Sequence, residues 1–358
     1  MKDTMEVRPD ERFDVAKVAA YLRGKLPGSE NELRVAQFGG GAANLTYLLD
    51  YGSHEYVLRR PPLGPVAKSA HDMAREYRVL SVLHQVLPTA PRAFLYCEDR
   101  DLIGADFFVM ERRKGVVVRR TMPPHFADIP AAPRRMSEAL VDSLAQLHAV
   151  DFAALGLSDL GKPQGFIERQ VEGWYRRWHA ARQFDGAEAV PEMDSAYKWL
   201  KENLPDSAEF SLVHNDYKLD NVMLALDDPG LMVAIFDWDM CTLGDPMSDL
   251  GALLCYWTEP TDPPYLQGIS RMPPSDLGFL TRRELVERYA EKSGRSIHNI
   301  NYYHTLGLFR LTVILAQIYI RYVRGQTQDE RFAPFGSMIP LMAKAAVDVM
   351  HGRFGAVG

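Results

Sequence analysis

Apolar positions along the chain change period near residue 115. Before it, short alternating runs dominate; after it, apolar residues recur three and four apart. Asp10 to Leu26 is an exception, a predicted helix with Phe13, Val15, Val18, Ala19, Tyr21 and Leu22 on one side and Pro27-Gly28 as its stop. Leu33 to Phe38 and Leu45 to Leu49 read as strands around Gly39-Gly40-Gly41-Ala42-Ala43-Asn44. A turn at Tyr51-Gly52-Ser53 leads to a third strand, Glu55 to Arg60, stopped by Pro61-Pro62. Side chains alternate along it, so Arg59 shares a face with Val57 and Arg60 with Leu58. Ser69 to Leu87 is the next predicted helix, with Glu76 lying on the apolar stripe of Met73, Leu80, Leu83 and Leu87. Ala93 to Cys97 and Phe107 to Glu111 complete a sheet of five strands. Beyond Gly115 the pattern predicts helices over 133–150, 166–182, 192–203, 281–294, 301–324 and 335–350. The fold class this supports is α+β.

One stretch interrupts the helical half. Leu212-Val213-His214-Asn215-Asp216-Tyr217-Lys218-Leu219-Asp220-Asn221 puts polar groups straight after an apolar run. A second run, Met232 to Phe236, ends in Asp237-Trp238-Asp239 behind the turn Asp227-Asp228-Pro229-Gly230. Two strands around that turn read as a hairpin, with a carboxylate before it, an amide at its entry and a carboxylate at its exit. Oxygen groups so disposed suit a divalent metal and a hydroxyl that must be oriented. The bland alternative is a pair of hairpins with solvated acids.

Composition removes other classes. Hydrophobic residues at 47% and charged residues at 25% are those of an ordinary globular protein. A net charge of -6 argues against nucleic acid as the partner. The cysteines Cys97, Cys241 and Cys255 are too scattered for a disulfide framework or a zinc site, which fits a cytoplasmic location. Met1 to Glu6 lacks the apolar core of a secretory signal. The most apolar predicted helix, Leu306 to Val323, is interrupted by Arg310, Gln317 and Arg321, so it reads as a core helix and no membrane is expected.

The spacing His214-x-Asp216-x-x-x-x-Asn221, followed by Asp237 after a strand, resembles the catalytic and metal-binding loops of the kinase superfamily. Asp237-Trp238-Asp239 followed by Gly244-Asp245-Pro246 is similar to the aminoglycoside phosphotransferase family within it. The resemblance implies a two-lobed protein-kinase-like fold, with an antiparallel five-stranded N-terminal lobe over 1–112 and a mainly helical lobe over 113–358. It implies ATP and Mg2+ as cofactors and a small-molecule hydroxyl as acceptor. Asp216 would orient or accept the hydroxyl proton, Asn221 and Asp237 would hold the metal, and Lys218 would lie near the transferred phosphoryl group. Gly39, Gly40, Gly41 and Asn44 would cover the phosphates, or simply close a hairpin. Arg59 takes the place of the lysine that protein kinases use on the α- and β-phosphates, with Glu76 as its partner; a solvated arginine and a local pairing of Glu76 are the alternatives. The backbone of Glu111 to Arg113 would read the adenine edge. Asp249 would brace the loop around His214, and both His214 and His148 would be packed groups.

Three stretches, Tyr56 to Pro62, Arg75 to Leu80 and His214 to Asn221, are similar to the kinase-like domain fused to acyl-CoA dehydrogenases. That likeness implies a hydroxyacyl-CoA or related hydroxy acid as acceptor, with Arg112-Arg113-Lys114 and Arg119-Arg120 as candidate contacts for CoA phosphates. Phe166 to Arg182 interleaves Trp174, Tyr175 and Trp178 with Arg176 and Arg177; it could hold an anionic flat ligand or be an ordinary amphipathic helix. A nucleotide-binding module without turnover, an aminoglycoside kinase and a protein kinase remain as alternatives. No dense acidic run favours a polycationic acceptor, and the short interval from Asp237 to Gly244 leaves no room for a long activation segment.

Overall fold

The computed structural model describes residues 3–39, 44–63, 72–184, 190–206 and 209–355. The chain forms two compact units, one of Met1–Lys114 with Val233–Cys241, the other of Gly115–Met232 with Thr242–Gly358. The resemblance implied one helical lobe over 113–358, whereas the segment Val233–Cys241 packs with the first unit. Ile235 N–H donates to the Thr89 carbonyl at 2.8 Å, and Arg75 Nε donates to the Cys241 carbonyl at 2.8 Å. Trp238 between them is wholly buried.

The first unit contains β1 (Thr4–Met5), α1 (Val15–Leu22), β2 (Arg34–Phe38), β3 (Leu45–Asp50), β4 (Glu55–Arg60), α2 (Met73–Leu83), β5 (Ala93–Cys97) and β6 (Phe107–Glu111). The sheet has six strands in the order β1-β2-β3-β4-β6-β5, every pairing antiparallel. The sixth, β1, sets Thr4 opposite Phe38 and Met5 opposite Gln37; two residues are too few to show a period, so the sequence pattern passes over it. Helix α1 starts five residues later than the expected Asp10 because Asp14 caps it, accepting from Lys17 N at 3.1 Å. Asp72 caps α2 in the same way; the earlier start expected at Ser69 lies outside the described residues.

Alternation along β4 decides which groups meet. Tyr56 and Leu58 enter the core with Val18, Leu22, Tyr47, Leu49 and Phe107. Arg60 is buried on that side, bonded to the Ile103 carbonyl, the Glu11 carbonyl and Tyr47 Oη. Arg59 therefore faces the other way, where Glu76 of α2 lies.

The second unit contains α3 (Ala132–His148), α4 (Phe166–Ala181), α5 (Glu192–Glu202), β7 (Ser211–Val213), β8 (Val222–Leu224), β9 (Met232–Ile235, continuing into the first unit), β10 (Thr242–Gly244), α6 (Met247–Tyr256), α7 (Pro264–Ile269), α8 (Arg282–Ser293), α9 (Ile300–Val323) and α10 (Phe335–Met350). β7 and β10 pair antiparallel, Leu212 opposite Leu243. Helices α6 and α9 pack closely because both carry a glycine at the crossing. A Cβ on Gly251 would lie 2.4 Å from the Tyr303 backbone, and one on Gly307 2.9 Å from the Gly251 carbonyl oxygen. The stretch 258–274, with prolines at 260, 263, 264, 273 and 274, includes α7, and Arg282 pins it through the buried Asp262. Among the described residues, α9 alone is long and apolar enough to cross a membrane by length and composition; in this fold it is a core helix against α6 and α10, with His304, Thr305 and Thr312 fully enclosed.

Candidate active site

In the second unit, β7 delivers the chain into a loop held from below by one carboxylate. Asp249, wholly buried in the first turn of α6, accepts from His214 N at 2.6 Å and Asn215 N at 2.7 Å. His148 Nε2 approaches it at 3.2 Å, while His148 Nδ1 meets Tyr289 Oη at 2.7 Å. A carboxylate can only accept here, so Nε2 carries a proton towards Asp249. Burial pushes the Asp249 carboxyl up, but the histidine contacts and the donated N–H groups outweigh it and hold it below the usual range. His214 is enclosed too, its Nδ1 accepting from Asp216 N at 3.2 Å, which makes it a brace. Tyr217 Oη anchors the loop to the Leu140 carbonyl at 2.7 Å. Asn215 adopts φ 63°, a left-handed conformation that asparagine tolerates better than most residues and that turns Asp216 outward.

Asp216 is the partly exposed carboxylate of this loop, with a quarter of its side chain accessible. Asn221 Nδ2 donates to the Asp216 carbonyl at 2.8 Å and to Asp216 Oδ2 at 2.7 Å. With both amide hydrogens so committed, the amide orientation is set and Oδ1 is the atom left to accept or to ligate. Lys218 Nζ also bonds Asp216 Oδ2 and lies 5.4 Å from the Tyr256 ring centroid. Burial disfavours its charge, but Asp216 more than restores it, so Lys218 stays protonated.

In the first unit, Arg59 joins two carboxylates. Its Nε is 3.2 Å from Glu76 Oε2 and its Nη2 is 2.7 Å from Asp237 Oδ1. Asp237 sits at φ 69° and opens the short turn Trp238–Met240. Burial lowers the Arg59 pKa, yet Glu76, Asp237 and Asp239 together raise it. Glu76 is raised to about 7: burial is the largest cause, Arg59 opposes it, and Asp237 and Asp239 add to it. Three carboxylates thus act on one guanidinium.

The remaining candidates divide. Asn44 is buried at the head of β3 and Gly39 follows β2 directly; Gly40 and Gly41 lie outside the described residues. Glu111 N–H is already given to the Arg92 carbonyl at 2.8 Å. Arg113 is tied to Glu111 at 3.0 Å and to the carbonyls of Pro88 and Ala90. Arg112 bonds Glu55 and Asp3, and Lys114 bonds Glu55, so this basic run is neutralised at home.

Among the described residues no three His, Cys, Asp or Glu side chains form a metal cage. Magnesium shared with phosphates needs only one or two protein oxygens, and each unit by itself offers a group of that kind. In the second unit Asn221 has an oriented Oδ1, and in the first unit Asp237 brings a carboxylate.

An antiparallel sheet with its arginine–glutamate pair and a helical unit carrying a braced Asp-x-x-x-x-Asn loop define the protein-kinase-like fold of small-molecule phosphotransferases. Comparison with known proteins gives the family. The model of the phosphotransferase enzyme family matches residues 34–280. Acyl-CoA dehydrogenase family member 11 of Rattus norvegicus is 34% identical over 92% of this chain and 42% of its own length. The Homo sapiens protein of the same name is 31% identical over 99% of this chain and 45% of its own length. The chain therefore spans less than half of the curated relatives it matches. A Ralstonia eutropha protein classed as an aminoglycoside phosphotransferase superposes with TM-score 0.79 at 29% identity, covering 95% of this chain and 99% of that one. Spectinomycin phosphotransferase APH(9)-Ia, solved with ADP and spectinomycin, superposes with TM-score 0.60 at 14% identity over 95% and 99% of the two chains, a likeness of fold. The chain belongs to the phosphotransferase enzyme family.

Sequence reasoning missed Tyr256 and Arg310, which line a cleft with Asn215 and Asp216. Arg310 Nη2 donates to the Asn215 carbonyl at 2.5 Å. The available signal was an arginine inside an otherwise apolar helical stretch, which the pattern marked only as an interruption.

Proposed function

We propose that this chain is an ATP- and Mg2+-dependent kinase that transfers the γ-phosphoryl group to the hydroxyl of a hydroxy acid or hydroxyacyl-CoA. The observation that carries the reading is the contrast between two neighbouring carboxylates: Asp249 is enclosed and committed to the loop backbone, while Asp216 is partly exposed and fixed by Asn221. In this reading Asp216 takes the acceptor proton as the acceptor oxygen bonds to phosphorus and the bond to the ADP oxygen breaks. Lys218 offsets charge on the transferred group. Asn221 and Asp237 hold magnesium, which supplies charge neutralisation at the phosphates when bound. Arg59, positioned by Glu76, contributes a forked cation towards the α- and β-phosphates. Gly39, Gly40, Gly41 and Asn44 belong to the phosphate-covering stretch, and the backbone of Glu111 to Arg113 to adenine recognition.

The acyl-CoA dehydrogenase names of the relatives support an acyl-type acceptor, and the ADP and AMP-PNP held by solved phosphotransferases of this fold support a nucleotide donor. The test is turnover with Mg2+ and ATP against hydroxyacyl-CoAs, free hydroxy acids, sugars and aminoglycosides, reading ADP and phosphorylated product together. Phosphorylation confined to the acyl acceptors and lost in Asp216→Asn is expected. Nucleotide binding that ignores Mg2+ would remove the metal roles of Asn221 and Asp237.

A further inference from the structure

Helix α6 serves the Asp216 loop from one face. Asp249, Ala252 and Tyr256 recur at helical spacing, which sets them on the same side of the helix. Asp249, in the first turn, accepts from the loop backbone at His214 and Asn215. Ala252 and Tyr256 line the cleft that contains Asp216. The position of Tyr256 is fixed from behind. Its neighbour Trp257 is buried, with Nε1 donating to the Leu280 carbonyl at 2.7 Å and N–H to the Leu254 carbonyl at 3.2 Å. Lys218 Nζ bonds Asp216 Oδ2 and lies 5.4 Å from the Tyr256 ring centroid, so ring, ammonium and carboxylate form one cluster. The ring face is therefore in use, but the hydroxyl is not: among the described residues it has no hydrogen-bond partner. Burial first, then Asp216, raises its pKa to about 12 against the opposing Lys218 and Arg310, so it remains a neutral O–H. A phenol that faces a polar cleft without a protein partner is completed by water or by a ligand.

We propose that Tyr256 is a second group that holds the acceptor, its phenol donating to the same hydroxyl oxygen whose proton Asp216 receives. The inference rests on the reading of Asp216 as the group that receives the acceptor hydroxyl. An alcohol oxygen carries one hydrogen and two lone pairs. The hydrogen goes to Asp216 and one lone pair accepts from Tyr256. The other lone pair is left to form the new bond to phosphorus as the bond to the ADP oxygen breaks. The proton ends on Asp216, and Tyr256 keeps its own throughout. Holding the oxygen by two contacts instead of one removes rotation from the bound acceptor, and orientation of that kind contributes directly to rate. Ring and hydroxyl have separable duties, the ring towards Lys218 and the hydroxyl towards the acceptor.

The test is steady-state kinetics of the full chain with ATP and Mg2+ on four probes: 3-hydroxybutyryl-CoA, 3-hydroxybutyrate, glucose and kanamycin. ADP and phosphate ester are read together. On whichever probe wild type phosphorylates, Tyr256→Phe is expected to lower kcat/KM for the acceptor by tenfold or more and to leave the KM for ATP unchanged. Phenylalanine keeps the ring against Lys218, so the variant is expected to fold, and an unchanged melting temperature checks this. Replacing Tyr256 by 3,5-difluorotyrosine gives a reading that a merely structural role would not move. Its phenol is more acidic, and once ionised it has no hydrogen to donate. A new alkaline limb in the pH profile of kcat/KM, absent from wild type, is expected. Kinetics of Tyr256→Phe equal to those of wild type overturn the proposal, as does a difluorotyrosine profile of wild-type shape. Ester formation by wild type in those cases leaves the kinase reading standing and removes the role of Tyr256 alone. Wild type that forms no ester from any of the four probes overturns the kinase reading and this one with it.

Discussion

Replacing Asp249 by alanine tests whether the catalytic loop is held by one buried carboxylate. The substitution removes the acceptor of His214 N–H and Asn215 N–H, at 2.6 and 2.7 Å, and the partner of His148 Nε2. Asp249 is fully enclosed, so water does not readily replace it. Each stranded backbone donor costs about 1–3 kcal/mol and the lost histidine bond about 1 kcal/mol more, giving about 4 kcal/mol in all. In a unit of this size that corresponds to a fall of about 10 °C in the melting temperature. Its sign against pH is fixed by the depressed carboxyl: the stabilisation is fully present above the ordinary value of 3.8 and is lost as pH falls through the lower folded value. Differential scanning calorimetry near pH 7 reads the shift, and hydrogen exchange of the peptide covering 211–221 reads the two amides directly. Asp249→Asn keeps one acceptor oxygen and is expected to fall between wild type and alanine. A shift under 2 °C in Asp249→Ala, with exchange at 211–221 unchanged, would refute the bracing argument.

Other substitutions separate the remaining parts. Glu76 has its pKa raised from 4.5 to about 7, so its contribution to stability is fully present below 4.5 and is lost as pH rises through 7. Wild type should therefore lose up to about 3 kcal/mol relative to Glu76→Gln between pH 4.5 and 7 in denaturant titrations; parallel profiles would show that burial does not raise the Glu76 carboxyl. Asn221→Asp exchanges two donors for oxygen facing Asp216, so kcat should fall at least a hundredfold despite the added anionic ligand. Retained activity with tighter Mg2+ binding would contradict the amide orientation argued above. Gly251→Ala would place a Cβ 2.4 Å from the Tyr303 backbone and should cost about 1–3 kcal/mol in thermal unfolding; a neutral effect would mean that α6 and α9 can separate freely.

The sequence made the local elements legible where period and caps agreed. Glu55–Arg60, Ala93–Cys97, Phe107–Glu111 and Phe335–Met350 appear with the bounds their patterns predict. The pairing of Arg59 with Glu76 was readable because strand alternation and the α2 stripe aim both inward. The second partner of Arg59 was not, because Asp237 is far along the chain and its left-handed backbone has no signature in an aspartate. The same holds for Val233–Cys241, whose attachment to the first unit runs through contacts distant in sequence, among them Ile235 N–H to Thr89, Arg75 to Cys241 and Arg59 to Asp237. Arg310 escaped notice because an arginine in an apolar helix signals a polar partner without saying which. Tyr256 escaped because an aromatic residue at a helix end usually packs. Burial now pushes its hydroxyl up to about 12, with Asp216 adding to the shift, so it is a neutral donor at the cleft.

The central claim is that the acceptor hydroxyl, oriented by Asp216, attacks phosphorus. A hydroxy acid or hydroxyacyl-CoA labelled with 18O at the hydroxyl tests it most directly, with the product analysed by mass spectrometry after incubation with ATP and Mg2+. The account predicts a phosphate ester that retains the label in its bridging oxygen, formed by wild type and not by Asp216→Asn. Product without the label, or ester formation that persists at the same rate in Asp216→Asn, would contradict it.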